Sequence, residues 1–290
     1  MEKMSMNLVN ACMFNPGNFG PEELLGLWPT HSSKYLRWID SSDLLSIWVD
    51  ADGSNNPLGN LEKSVLSSKS KYKVMVLVEP KSYCFQNYEW VLYNHDLFDL
   101  VFSAYPDYGG ANPKFKYFHG GLRSYISKEE WNVYPKSMNI SSVMSNRRQL
   151  PGHILRHEIR NEVESFIDYL NPTMTRKVDA LRDYRFEIVI ENEDSPNFSE
   201  KLLDSMLCGC VPIYWNNSST EYLDVFDKSG IELFSSKDEI VTKIKSGYFN
   251  EELYNSKIDA IKNNFEVAQR FVSLGDVLWE YGIKELIQND

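Results

Sequence analysis

The sequence predicts an α/β protein built of two lobes, each around a parallel sheet. Three observations carry that reading. Apolar runs of strand length alternate with segments of helical periodicity, the pattern that parallel sheets with crossover helices require. The 290 residues are about twice an ordinary domain length. The composition, 42% hydrophobic and 24% charged, suits a chain that buries a real core.

The elements follow in order. Residues 44–49 read as a strand that ends in the turn-rich Asp50-Ala51-Asp52-Gly53. Residues 73–78 form a second strand, a helix lies around Tyr88 to Tyr93, and residues 100–103 form a third strand. The stretch 103–136, rich in Gly, Pro, Asn and Tyr, reads as loops leading to a crossover. Residues 139–144 start a new strand. After Pro151-Gly152, the apolar Leu155, Ile159, Val163, Phe166, Ile167 and Leu170 trace one helical face. Residues 185–190 are the next strand, and Leu202, Leu203, Met206 and Leu207 mark a helix that Gly209 stops. Residues 210–215 return as a strand, and 251–290 read as terminal helices. The expected division is therefore 1–136, 137–272 and a terminal helix, 273–290, packing across the lobes.

Composition also excludes. With 30 basic and 41 acidic residues, a net charge of −11, the chain lacks the basic face of a nucleic-acid-binding domain. Charge is nevertheless uneven: between Lys136 and Arg160 five basic residues stand against the single acidic Glu158, a local seat for a phosphate. Cys12, Cys84, Cys208 and Cys210 show neither zinc spacing nor a disulfide framework. No secretory signal and no apolar run of spanning length are evident, so a cytoplasmic protein without a transmembrane segment is expected. The aromatic stretch from Tyr105 to Trp131 can line an acceptor cleft or serve core packing.

The densest candidate site is a strand, a polar loop and a helix start. Glu191 and Asn192 follow the strand, where ligands of parallel sheets bind. Asn197, Ser199, Glu200 and Lys201 open the helix, whose free amides suit a phosphate. Glu200 can accept from a ribose diol, and Lys201 can neutralise a diphosphate. The alternative is a capping box between Asn197 and Glu200. Arg156 and Arg160 lie four apart on one helix face, and either guanidinium can fork onto a diphosphate. The alternative is an exposed helical face, with Arg160 and Glu164 as an ordinary surface pair. Glu79 places a carboxylate at the tip of the apolar strand 74–78, with Lys81 near it. Asp50-Ala51-Asp52 could hold a metal, but turn chemistry explains it more simply. An EF-hand fails there, because Asn55 and Leu61 stand where Gly and Glu are needed. His153 and His157 lack the acid of a zinc-protease helix and read as capping or surface residues. No metal site is expected.

The string Tyr184-Arg185-Phe186, Ile190-Glu191-Asn192, Asn197-Phe198-Ser199-Glu200-Lys201 and Val211-Pro212-Ile213-Tyr214 resembles the donor-site motif of the α1,3-fucosyltransferases, glycosyltransferase family ten. The resemblance implies the GT-B fold, two Rossmann-like lobes with a nucleotide-sugar cleft between them. It also implies inverting, metal-independent transfer from GDP-fucose to a glycan hydroxyl, with no tightly bound cofactor. By the same resemblance Glu200 meets the ribose, Asn192 and Lys201 hold the donor, and an arginine at the start of the preceding helix binds the diphosphate. The family's Gly-Glu-Asn strand end, followed by Phe-Asp, corresponds to Glu79 with Phe98-Asp99, which makes Glu79 the general base. Ile190 and Asn197 stand where the family has aromatic residues. A UDP-sugar transferase of xylosyl or exostosin type therefore stays open, as does a non-catalytic glycan- or nucleotide-binding protein. Golgi members carry a membrane anchor, so a bacterial or viral source is expected.

Overall fold

The computed structural model describes residues 8–14, 33–50, 57–120, 123–171, 175–215 and 220–288. The chain forms two units, Met1–Gly120 with Ser273–Asp290, and Gly121–Val272.

In the first unit six strands form one sheet: β1 (Val9–Phe14), β2 (Leu36–Trp38), β3 (Leu45–Val49), β4 (Tyr72–Leu77), β5 (Leu100–Ser103) and β6 (Phe115–Tyr117). They lie in the order β2-β1-β3-β4-β5-β6, and every pairing is parallel. Every residue of β3 is buried, as expected for a strand covered on both faces. Helices α1 (Pro57–Ser67) and α2 (Phe85–Tyr93) supply Leu61, Val65, Tyr88 and Val91 to a core with Trp48, Met75 and Leu77.

The C-terminal segment belongs to this unit: α8 (Leu274–Leu278), a π-turn over Trp279–Ile283, and α9 (Lys284–Gln288). Asp276 accepts from Ser33 Oγ and the Lys34 amide, both at 2.7 Å, and Trp279 stacks on Tyr35.

The second unit carries β7 (Met138–Val143), β8 (Asp168–Leu170), β9 (Tyr184–Val189), β10 (Val211–Trp215) and β11 (Glu232–Phe234), again all parallel, in the order β11-β10-β9-β7-β8. Its helices are α3 (Pro151–Val163), α4 (Glu200–Leu207), α5 (Lys237–Lys245), α6 (Glu251–Ser256) and α7 (Ile258–Ala268). On one sheet face Ile159, Val163, Ile240 and Ile244 pack against Phe186, Ile188 and Ile213. Gly209 ends α4 with φ of 69°, and a Cβ there would stand 2.8 Å from Val133 Cα.

Two expectations need correction. The division falls after Gly120, not near 136, because the stretch after it is bound to the second unit. Ile126 sits in a core with Leu181, Cys208 and Cys210, and Lys136 Nζ donates to the carbonyls of Leu181, Arg182 and Cys208 at 3.3, 3.1 and 2.6 Å. The helix read through Leu170 stops at Val163: the chain turns there, the Phe166 amide donates to Val163 O, and Asp168–Leu170 pairs with β7 instead. The stretch read as loops before 136 also contains β6.

Candidate functional site

Strand order locates the site before any side chain does. From β7 the chain passes to β8 on one side, and from β9 it passes to β10 on the other. Neighbouring connections that part in this way leave a crevice beyond the carboxyl ends of the strands, where open α/β sheets bind ligands. Helix α3 follows β7 and α4 follows β9, so both begin at that edge.

The start of α3 is fastened to the end of β9. The Gly152 amide donates to Asn192 O at 2.9 Å, and a Cβ on residue 152 would stand only 1.7 Å from Glu191 O. Only glycine permits this approach. One turn on, Arg156 is 9% exposed; its Nε donates to Ile190 O at 3.1 Å, and its Nη2 donates to the same carbonyl and to Asn192 Oδ1 at 3.1 Å. His153 is buried, and its Nδ1 accepts from the Leu150 amide at 3.2 Å, a capping contact. Burial, reinforced by Arg156, holds its ring below the ordinary histidine pKa. His157 is buried as well and not at the surface, with Nε2 3.2 Å from Arg147 O.

Arg160, a further turn along, is not brought to this cluster. Its Nη2 lies 3.0 Å from Glu164 Oε1 and its guanidinium 4.9 Å from the ring centre of Tyr169. The surface pair is what forms.

At α4 the N-cap is Ser199, whose Oγ accepts from the Lys201 amide at 3.3 Å. The cap is thus Ser199 and not Asn197, which sits two residues earlier, beside Phe198, whose ring packs against Phe226 and Phe271. Glu191 is committed to internal partners. It accepts from the Ser199 amide at 2.9 Å, Ser199 Oγ at 2.6 Å and Tyr214 OH at 3.3 Å, with Lys201 Nζ at 3.4 Å.

Glu200 lies between Lys201 Nζ at 3.4 Å and Arg123 Nε at 4.0 Å, with its side chain 15% exposed. Burial opposes its ionisation, but Lys201 and Arg123 prevail and hold its pKa down at about 2. Burial likewise disfavours the charge on Lys201, yet Glu200 and Glu191 raise its pKa above the ordinary value. Three cations (Arg123, Arg156 and Lys201) thus face two carboxylates at a helix N-terminus. The helix dipole at that N-terminus favours an anion.

Sequence reasoning missed Arg123 and the loop that carries it. Asp204, fully buried one turn after Glu200, accepts from Ser124 Oγ at 2.6 Å and the Tyr125 amide at 3.2 Å. Arg123 lies 4.7 Å from the centre of the half-exposed Tyr125 ring. Burial pushes Asp204 up to about 7, against Lys177 and the Ser124 hydrogen bond. No spacing in the sequence signals a contact between residues 80 positions apart.

In the first unit Glu79 is exposed just beyond β4. Asp99, of the Phe98-Asp99 pair, accepts from the Lys73 amide at 2.7 Å and so fastens β5 to the start of β4. Tyr108 and Phe115, from the aromatic stretch, are partly buried and pack together against the core beside Tyr88. Asp52 lies outside the described residues. Among the described residues no three His, Cys, Asp or Glu side chains converge as metal ligands, and no helix is long and apolar enough to cross a membrane.

The same architecture recurs in solved structures. An α1,3-fucosyltransferase superposes with a TM-score of 0.58 at 15% identity, over 100% of this chain and 93% of its own. An α-glucosyltransferase in complex with UDP-glucose and DNA containing an abasic site gives 0.60 at 13% identity, over 97% and 98%. The fold is GT-B. A sucrose-phosphate synthase from Thermosynechococcus elongatus shares the GT-B likeness at a TM-score of 0.57 and 9% identity, over 98% and 100% of the two chains. No protein-family model matches the chain. In sequence, 85 residues are 32% identical to a protein of Acanthamoeba polyphaga mimivirus provisionally named a fucosyltransferase. That stretch is 28% of this chain and spans only 14% of the viral protein.

Proposed function

We propose that this protein is an inverting glycosyltransferase that moves a sugar, fucose by motif resemblance, from a nucleoside diphosphate to a glycan hydroxyl. The observation that carries the reading is Glu200: a partly buried carboxylate, kept ionised between Lys201 and Arg123, at the helix start beside a sheet's switch point. An ionised, acceptor-only group there suits the two hydroxyls of a ribose. Arg156 and Lys201 supply charge for the diphosphate, whose departure they stabilise. Asn192 fixes the Arg156 fork, and Glu191 with Ser199 fixes Lys201. The placement of Arg156 beside Asn192, and of Arg160 on Glu164, supports Arg156 as the diphosphate ligand.

In the first unit Glu79 acts as general base. The acceptor oxygen forms a bond to the anomeric carbon as the bond from that carbon to the diphosphate oxygen breaks. The hydroxyl proton passes to Glu79, and the electron pair of the broken bond leaves with the nucleoside diphosphate. A positioned base of this kind contributes about 10²–10⁴ in rate. The resemblance around residues 184–214 and the fucosyltransferase names among the relatives support GDP-fucose.

Release of nucleoside diphosphate from GDP-fucose and from UDP-glucose, with water as acceptor, tests the reading. Slow hydrolysis of GDP-fucose that Glu79→Gln abolishes, with GDP binding intact, is the expected result. Hydrolysis of UDP-glucose alone would transfer the proposal to a UDP-sugar enzyme. Nucleotide binding without any turnover would favour a non-catalytic protein.

A further inference from the structure

Beside Glu79 the first unit holds an unusual construction. Asp50, the residue that follows β3, has φ of 48°, a left-handed conformation that a residue with a side chain rarely adopts. Its amide still donates to Val76 O at 2.9 Å, extending the ladder between β3 and β4. The left-handed turn brings its carboxylate over the end of the neighbouring strand. There Oδ1 accepts from the Val78 amide at 3.1 Å, and Oδ2 accepts from the amides of Val78 at 3.3 Å and Glu79 at 3.1 Å. On the other side of the same residue, Glu79 O accepts from the hydroxyl of Tyr88, a ring 1% exposed. Tyr88 is itself held, since Tyr108 OH donates to Tyr88 O at 2.5 Å and the Tyr105 and Tyr108 rings meet it edge-on.

Glu79 is thus an exposed side chain on a backbone secured at both its N–H and its carbonyl. A turn needs no such investment, because backbone groups at an exposed strand end hydrogen-bond to water at no cost in strain. The place matters too. Connections from β1 and β3 part in this sheet as those from β7 and β9 do in the other, so the carboxyl end of β3 borders a switch point.

We propose that Asp50 is a positioning residue for Glu79: its buried carboxylate fixes the backbone from which the base projects. The inference rests on the reading of Glu79 as base. Burial, then the charge of Glu79, pushes Asp50 up to about 7, against the hydrogen bonds from the Glu79 and Val78 amides. The titratable groups electrostatically coupled to Asp50 are Glu79, Cys84 and Tyr88.

Two substitutions separate geometry from charge. Asp50→Gly removes the carboxylate and accepts the left-handed backbone without strain, so any effect belongs to the lost hydrogen bonds. Asp50→Asn keeps an acceptor and removes the charge. Amide hydrogen exchange at Glu79 is expected to quicken at least about tenfold in Asp50→Gly, with Val74 to Val76 still protected, and to recover in Asp50→Asn. With whichever of GDP-fucose or UDP-glucose the wild type hydrolyses, Asp50→Gly should lower kcat about tenfold at unchanged donor KM. Asp50→Asn should restore kcat. Wild-type exchange at Glu79 in Asp50→Gly, or wild-type kcat, overturns the proposal. If the wild type hydrolyses neither donor, the base reading fails by itself and the exchange experiment alone decides whether Asp50 anchors Glu79.

Discussion

Replacing Glu200 by Gln perturbs the donor site with least change of shape. The carboxylate sits at about 2 where 4.5 is ordinary, with its side chain 15% exposed. That difference corresponds to roughly 3 kcal/mol of folding stability at neutral pH. Because folding lowers this pKa, the contribution is complete above about 4.5 and is lost as pH falls toward 2. Gln forfeits the attraction of Lys201 and Arg123 but also avoids the cost of burying a charge. Both effects are already combined in the lowered pKa, and Gln resembles the protonated carboxyl, so the expected net loss is about 2–3 kcal/mol. Urea unfolding at pH ~7 should place the variant below the wild type by that amount, and the gap should shrink at pH ~3.5. Equal stabilities at neutral pH, or a gap that persists unchanged in acid, would show that Lys201 and Arg123 do not hold Glu200 ionised.

Other consequences are as direct. Gly152→Ala drives a Cβ into Glu191 O, which lies 1.7 Å from that position, so α3 must shift; stability should fall by about 1–3 kcal/mol in urea titrations, and nucleotide affinity with it. Arg156→Met should weaken binding of GDP or UDP about a hundredfold in calorimetry, whereas Arg160→Met changes it less than about twofold. Asp204 is raised to about 7, so the stability it contributes is present below about 3.8 and is lost as pH rises through about 7. Asp204→Asn should therefore be more stable than the wild type at pH ~8, on the order of 1–3 kcal/mol by thermal or urea unfolding, and should show less dependence on pH.

What the sequence discloses and what it withholds have physical reasons. The β9–α4–β10 region is legible because local signals agree: a continuous apolar run for β10, buried throughout, the helical spacing of Leu202, Leu203, Met206 and Leu207, and Gly209 where the helix must stop. The three-residue edge strands β8 and β11 offer no such run, and β8 is masked in the sequence because Phe166, Ile167 and Leu170 fit a helical period by chance. Helical spacing puts Arg156 and Arg160 on one face but does not say which meets Asn192. One turn, about 5.4 Å of rise, separates a buried fork on the β9 carbonyl end from a surface pair with Glu164. Arg123 and Asp204 are invisible in the sequence because their partners are brought together only by the tertiary fold. Asp50 was legible as a turn residue. Its hold on the amides of Val78 and Glu79 depends on the register of β3 against β4.

The central claim is that the second unit seats a nucleoside diphosphate around Glu200, Lys201 and Arg156. Calorimetric titration of the wild-type protein and of Glu200→Ala with GDP and UDP, in parallel, tests it most directly. The account predicts wild-type binding of at least one of them, with Kd in the micromolar to low millimolar range, roughly −8 to −4 kcal/mol. It also predicts that Glu200→Ala weakens that binding about tenfold or more, as loss of a charged hydrogen-bond acceptor requires. Absence of heat with both nucleotides, or equal affinity in Glu200→Ala, would contradict it.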